Sequence, residues 1–80
     1  MNELMYDPLA RKVAEYIVKT NHTSVNIIQH EFNLGFNRAQ AIIEFLEFLQ
    51  VISKTDGSKP RKVMVGKEEL DWIFRLEIFQ

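Results

Sequence analysis

Asn37 and Arg38 stand at the start of one helix, and Lys59, Arg61 and Lys62 form a compact basic cluster downstream. An Asn side chain can donate to and accept from a base edge, and Arg and Lys can neutralise phosphates. The chemistry these residues offer is therefore recognition of a polyanion. Catalysis has little to work with. There is no nucleophile with a base at useful spacing, no glycine-rich phosphate loop and no carboxylate pair set in a cleft. His22 and His30 lie too far apart, without a further ligand, to hold a metal ion. The chain has no cysteine, which excludes disulfides and thiolate metal sites. No enzyme activity, metal or cofactor is expected.

Positioning these residues requires a helix over Asn37 to Leu49. Ala39, Ile42, Ile43, Leu46 and Leu49 recur at helical spacing and define its apolar face. Asn37 is the expected N-cap, with Gln40 closing a capping box. Asn37, Ala41, Glu44 and Phe48 fall on the opposite side. A shorter amphipathic segment, Ser24 to Phe32, precedes it across the corner Asn33-Leu34-Gly35, capped by Thr23 or Ser24 and buried through Val25, Ile28 and Phe32. Leu34 and Phe36 are expected to plug the core. Two helices joined in this way form a helix-turn-helix, whose second helix enters a DNA groove.

The rest of the chain supplies the frame. Eighty residues make one small domain. Residues 1–6 read as a lead-in. Asp7-Pro8 is a helix start, with Asp as cap and Pro at the first helical position, so a first helix runs from Pro8 to about Thr20. Val51-Ile52-Ser53 and Arg61-Lys62-Val63-Met64-Val65 read as two short strands about a turn at Asp56-Gly57-Ser58. The expected fold is mainly α with a small β-hairpin: a winged helix-turn-helix of three helices and a wing over residues 7–66. Residues 67–80 form an extra C-terminal helix. Its apolar residues Leu70, Trp72, Ile73, Phe74, Leu76, Ile78 and Phe79 point nearly all round, which implies burial on all sides. One side is expected on its own domain and the other on a second copy, giving a homodimer.

The net charge is −1, against a simple polyanion binder, but the distribution is uneven. Lys54, Lys59, Arg61, Lys62 and Lys67 stand against Asp56; Glu68, Glu69, Asp71 and Glu77 follow, against Arg75. No apolar run approaches a membrane span and no signal segment opens the chain, so a cytoplasmic location is expected. Met1 leads to the expectation of a free-standing small protein, with an excised domain as the alternative.

Asp7-Pro8-Leu9, Gly35-Phe36-Asn37-Arg38-Ala39, Ile42-Ile43-Glu44, Val51-Ile52 and Gly57-Ser58-Lys59-Pro60-Arg61-Lys62-Val63 together resemble the gamma domain of FtsK/SpoIIIE-type DNA translocases. The likeness runs from about Asp7 to Val65. It implies a winged helix at the end of a chromosome-pumping motor, reading short G-rich, strand-polarised sequences that orient the motor in chromosome segregation, and contacting a recombinase. The family's reading helix uses an Asn, an Arg four residues on and an acid three further. Asn37 and Glu44 match, whereas the Arg position is Ala41, which implies an altered base preference. Two readings follow. In the first, double-stranded DNA meets Asn37, Arg38 and Glu44 in the groove, with phosphates on Lys59, Arg61 and Lys62. In the second, the scaffold is a protein-interaction module whose contacts are Phe45, Phe48, Trp72, Phe74, Leu76 and Phe79, and specific DNA reading is lost.

Overall fold

The computed structural model describes residues 7–55, 57 and 59–75. Among these residues four helices follow one another: α1 (Ala10–Thr20), α2 (Val25–Phe32), α3 (Phe36–Phe48) and α4 (Lys67–Ile73). Asp7 precedes α1 by one turn rather than capping it directly. Its Oδ1 accepts the Leu9 N–H at 2.9 Å and its carbonyl accepts the Ala10 N–H at 2.8 Å. Ser24 caps α2, its hydroxyl accepting the Asn26 N–H at 3.2 Å.

The α2–α3 corner is made by one left-handed residue, Asn33 (φ 56). Asn tolerates that conformation better than other non-glycine residues. The Leu34 N–H then reaches back to the Gln29 carbonyl at 2.9 Å, satisfying the helix end. The α3 end repeats the device. Gln50 is left-handed (φ 64), its N–H bonds Glu47 O at 3.0 Å, and the Val51 N–H bonds Leu46 O at 2.9 Å. Leu46 and Val51, both fully buried, supply the apolar contact that accompanies this ending.

α3 is the central element, packed by both α1 and α2. Ala39, Ile42, Ile43 and Leu46 are buried against Val13, Ala14 and Ile17 of α1 and Ile28 of α2 in one core. Burial of each large aliphatic side chain contributes roughly 1.5–3 kcal/mol. Tyr16 meets Phe32 edge to face at 5.6 Å, closing the core between α1 and α2. Leu34 packs on the core, but Phe36 is 55% exposed and does not plug it.

The expected hairpin is absent: among the described residues there is no strand. The segment after α3 meets the segment before α4 at a single antiparallel bridge, Ile52 to Val63. Two backbone bonds flank it, Ser53 N–H to Lys62 O at 2.9 Å and Met64 N–H to Val51 O at 2.8 Å. Pairing stops there for local reasons. The Ser53 hydroxyl takes the Lys62 N–H at 2.9 Å, so a side chain occupies the donor that would extend a ladder. Pro60 has no N–H to give. On the outer edge of this segment, the Arg61 carbonyl accepts from the Thr23 hydroxyl at 3.3 Å and ties it to the α1–α2 connector. Val51 and Ile52 are nevertheless buried, so this segment serves the core without forming a sheet.

α4 packs on α1. Leu70 and Phe74, four residues apart, are both fully buried in the shared core. Glu69 Oε1 accepts the Gly66 N–H at 2.8 Å, the half of a capping box that a glycine N-cap can make. Arg11 Nη2 bonds Asp71 Oδ1 at 2.5 Å, tying the two helices at the surface. Leu76 and Phe79, expected in the same helix, lie outside the described residues.

Candidate nucleic-acid interface

The second helix of the helix-turn-helix leaves one stripe uncovered. Asn37, Ala41, Glu44 and Phe48 are exposed, at intervals of four, three and four residues that keep one face of α3 in line. Phe48 is 73% exposed. Because α4 is anchored on α1 through Leu70 and Phe74, the described part of the C-terminal helix does not lie over this stripe.

Asn37 is not the cap of α3. That position belongs to Gly35, extended at φ −71 and without a side chain, and Asn37 sits in the first turn with its side chain outward. Gln40 closes no capping box. Its Nε2 donates to Glu44 Oε2 at 2.8 Å, so Gln40 steers the carboxylate of the acid on the outward face.

The cations fall into two groups. Arg38 donates through Nε and Nη2 to both carboxylate oxygens of Asp7, at 2.6 and 2.9 Å. This two-pronged bond from the guanidinium holds the Asp7 carboxyl below its usual range, helped by the Leu9 N–H, and the same bond raises the Arg38 guanidinium. Arg38 thus joins the start of α3 to the lead into α1. Arg61 is more deeply engaged. Its Nε meets Glu47 Oε2 at 2.5 Å, with side-chain exposures of only 14% and 12%. Its Nη1 also donates to the Thr23 carbonyl at 3.4 Å. Sequence spacing groups Arg61 with Lys59 and Lys62 as an expected phosphate contact, whereas here it is a bolt between α3, the following loop and the α1–α2 connector.

Lys54, Lys59 and Lys62 are exposed on the loop closed by the Ile52–Val63 bridge. Lys54 and Thr55 share an open cleft with Gln40, Glu44, Glu47, Phe48, Gln50 and Arg61. Lys54 therefore borders the outward face of α3, a placement that spacing alone did not single out. It belonged to the basic run in the sequence, but only the reversal of the chain after Gln50 brings it back beside Glu44 and Phe48.

The residues read as partner contacts divide differently. Phe45 is half-buried and packs on the core. Phe74 is wholly inside the chain's own core, leaving none of its ring for a second molecule in this arrangement. Trp72 is 55% exposed. Tyr16 OH and His22 Nδ1 are 3.3 Å apart at the surface. Among the described residues no group of His, Cys, Asp and Glu is arranged to hold a metal ion, and no helix is long and apolar enough to cross a membrane.

Comparison with known proteins places this geometry. The family model described as the Ftsk gamma domain matches residues 5–66. The DNA translocase FtsK of Clostridium acetobutylicum is 38% identical over 64 residues, which is 80% of this chain and 8% of the relative. The DNA translocase SpoIIIE of Bacillus subtilis is 37% identical over 65 residues, 81% of this chain and 8% of the relative. The DNA translocase SftA of the same organism is 36% identical over 64 residues, 80% of this chain and 7% of the relative. The chain thus spans less than a tenth of the length of each of these relatives.

Proposed function

The chain belongs to the FtsK gamma domain family, and we propose that it binds double-stranded DNA through the outward face of α3 and the lysines of the bridged loop. The observation that carries this reading is the open stripe Asn37–Ala41–Glu44–Phe48 on the second helix of a helix-turn-helix, bordered by Lys54. In such a fold the second helix lies in the major groove and its outward side chains meet base edges. Lys54, Lys59 and Lys62 neutralise phosphates and set the register, while Asn37 and Glu44 face the bases. Arg38 and Arg61 contribute by holding α3 in place through Asp7 and Glu47. The proposed activity is binding, with no chemical step. Its use to a translocase would be directional: a domain that reads one strand's sequence lets that sequence bias a motor's direction.

The test is DNA binding against salt concentration. Each phosphate contact contributes roughly 0.9 to the slope of log affinity on log salt. Replacing Lys54, Lys59 and Lys62 together with Ala should weaken binding and flatten the slope by roughly three. No affinity at low salt in the unchanged protein, or an unchanged slope in the variant, defeats the proposal.

A second reading is favoured by one observation, the 73% exposure of Phe48 beside Ala41. Phe48, with the Ala41 methyl beside it, gives apolar surface that a protein partner would cover. On this reading the stripe, with Trp72 on α4, meets a second copy or another protein.

A further inference from the structure

The outward face of α3 also limits which bases it can recognise, if the DNA-binding reading above holds. Guanine is read by two donors from Arg or Lys onto O6 and N7. α3 contains no Lys, and its one Arg, Arg38, lies off the stripe, about 100° round the helix from Asn37. Arg61, the other guanidinium near this face, is bound to Glu47 and the Thr23 carbonyl. Lys54 stands on the loop beside the helix, where it suits a phosphate. The carboxylate of Glu44 on the stripe is an acceptor: it repels O6 and N7 of guanine, and its partners are the amino groups of adenine or cytosine.

What the stripe does present is apolar. The Ala41 methyl and the Phe48 ring are both exposed on it. Thymine alone among the bases carries a C5-methyl in the major groove, and Ala and Phe are among the side chains that contact it. Asn37, at the leading end, suits the N6 and N7 of adenine. Ala41 and Phe48 are seven residues apart, about 10 Å along a helix, or roughly three base-pair steps.

We propose that α3 selects thymine methyl groups, through Ala41 and Phe48, in place of guanine. The ligand is an A·T-containing duplex with two contacted thymines about three base pairs apart.

The experiment is a selection from a randomised duplex pool at moderate salt, followed by resynthesis of the winning sequence with uracil for thymine. Uracil removes the methyl and nothing else. The expected winner carries thymine at two positions with the stated spacing. Its uracil form should bind more weakly by about four-fold per contacted methyl group. Ala41→Arg should exchange thymine for guanine at one position, and Phe48→Ser should erase the thymine preference at the other without altering the salt slope. Equal affinity for the two forms overturns the proposal, as does enrichment of guanine, or of no base, by the unchanged protein. Salt-dependent binding with equal affinities leaves the DNA-binding reading standing and removes this one. Absence of binding at low salt removes both.

Discussion

Arg61 shows how far a residue's role departs from its type. It sits in a basic cluster, yet its guanidinium is nearly closed off against Glu47. Desolvating two charges is costly, and one left without the other costs more. Arg61→Ala or Glu47→Ala alone should therefore destabilise the fold by roughly 3 kcal/mol in urea denaturation. Replacing both with Leu should recover most of that loss, because no charge is then stranded. A double variant no more stable than the singles would contradict this account. Arg38 is different. Its pair with Asp7 lies at the surface, where solvent screens the attraction, and such pairs contribute little. Neither partnership could be read from spacing. Glu47 is 14 positions from Arg61, Thr23 is 38 away, and Asp7 is 31 from Arg38. Residue type marks a cation; only the folded chain says what already holds it.

At the level of elements, the helices were legible and the loop was not. Apolar spacing named Ala39, Ile42, Ile43, Leu46 and Leu49 as the buried stripe of α3; the first four are buried, and Leu49 is the half-buried C-cap. Periodicity survives because burial selects for it along a continuous helix. The hairpin depended on weaker signals, a β-branched pair and a turn. Those signals do not register that the Ser53 hydroxyl takes the Lys62 N–H, the donor that would extend the ladder. The cap of α3 moved from Asn37 to Gly35 for a similar reason: the corner at Asn33 already turns the chain, so the helix begins earlier. α4 carries its own prediction. A helix of seven residues has little stability alone, so its attachment rests on Leu70 and Phe74. Phe74→Ala should cost about 3–5 kcal/mol in thermal or urea unfolding. A loss below 1 kcal/mol would mean that the C-terminal helix is not integral to this core.

For the whole molecule, the decisive relation is between α4 and the stripe on α3. The all-round apolar character of residues 67–80 was visible in the sequence. Which side of the domain it would cover was not, because that depends on the fit of Leu70 and Phe74 against α1. With α4 on α1, no described residue of the C-terminal segment covers the stripe. The two readings of the stripe part in solution. On the protein-contact reading the unchanged chain sediments as a dimer or larger species, and Phe48→Asp shifts it to monomer. On the DNA reading Phe48→Asp leaves sedimentation unchanged and weakens DNA binding.

The single bridge between Ile52 and Val63 has a consequence for how such a domain can vary. The loop is pinned at its base by two backbone bonds and by Arg61, and among the described residues no further ladder pairs its two arms. Doubling an unpaired loop costs only about 0.6 kcal/mol in closure entropy. Residues can be inserted between the two arms without disturbing the helices, carrying Lys59 further from the core. Span, in this architecture, is adjustable separately from shape.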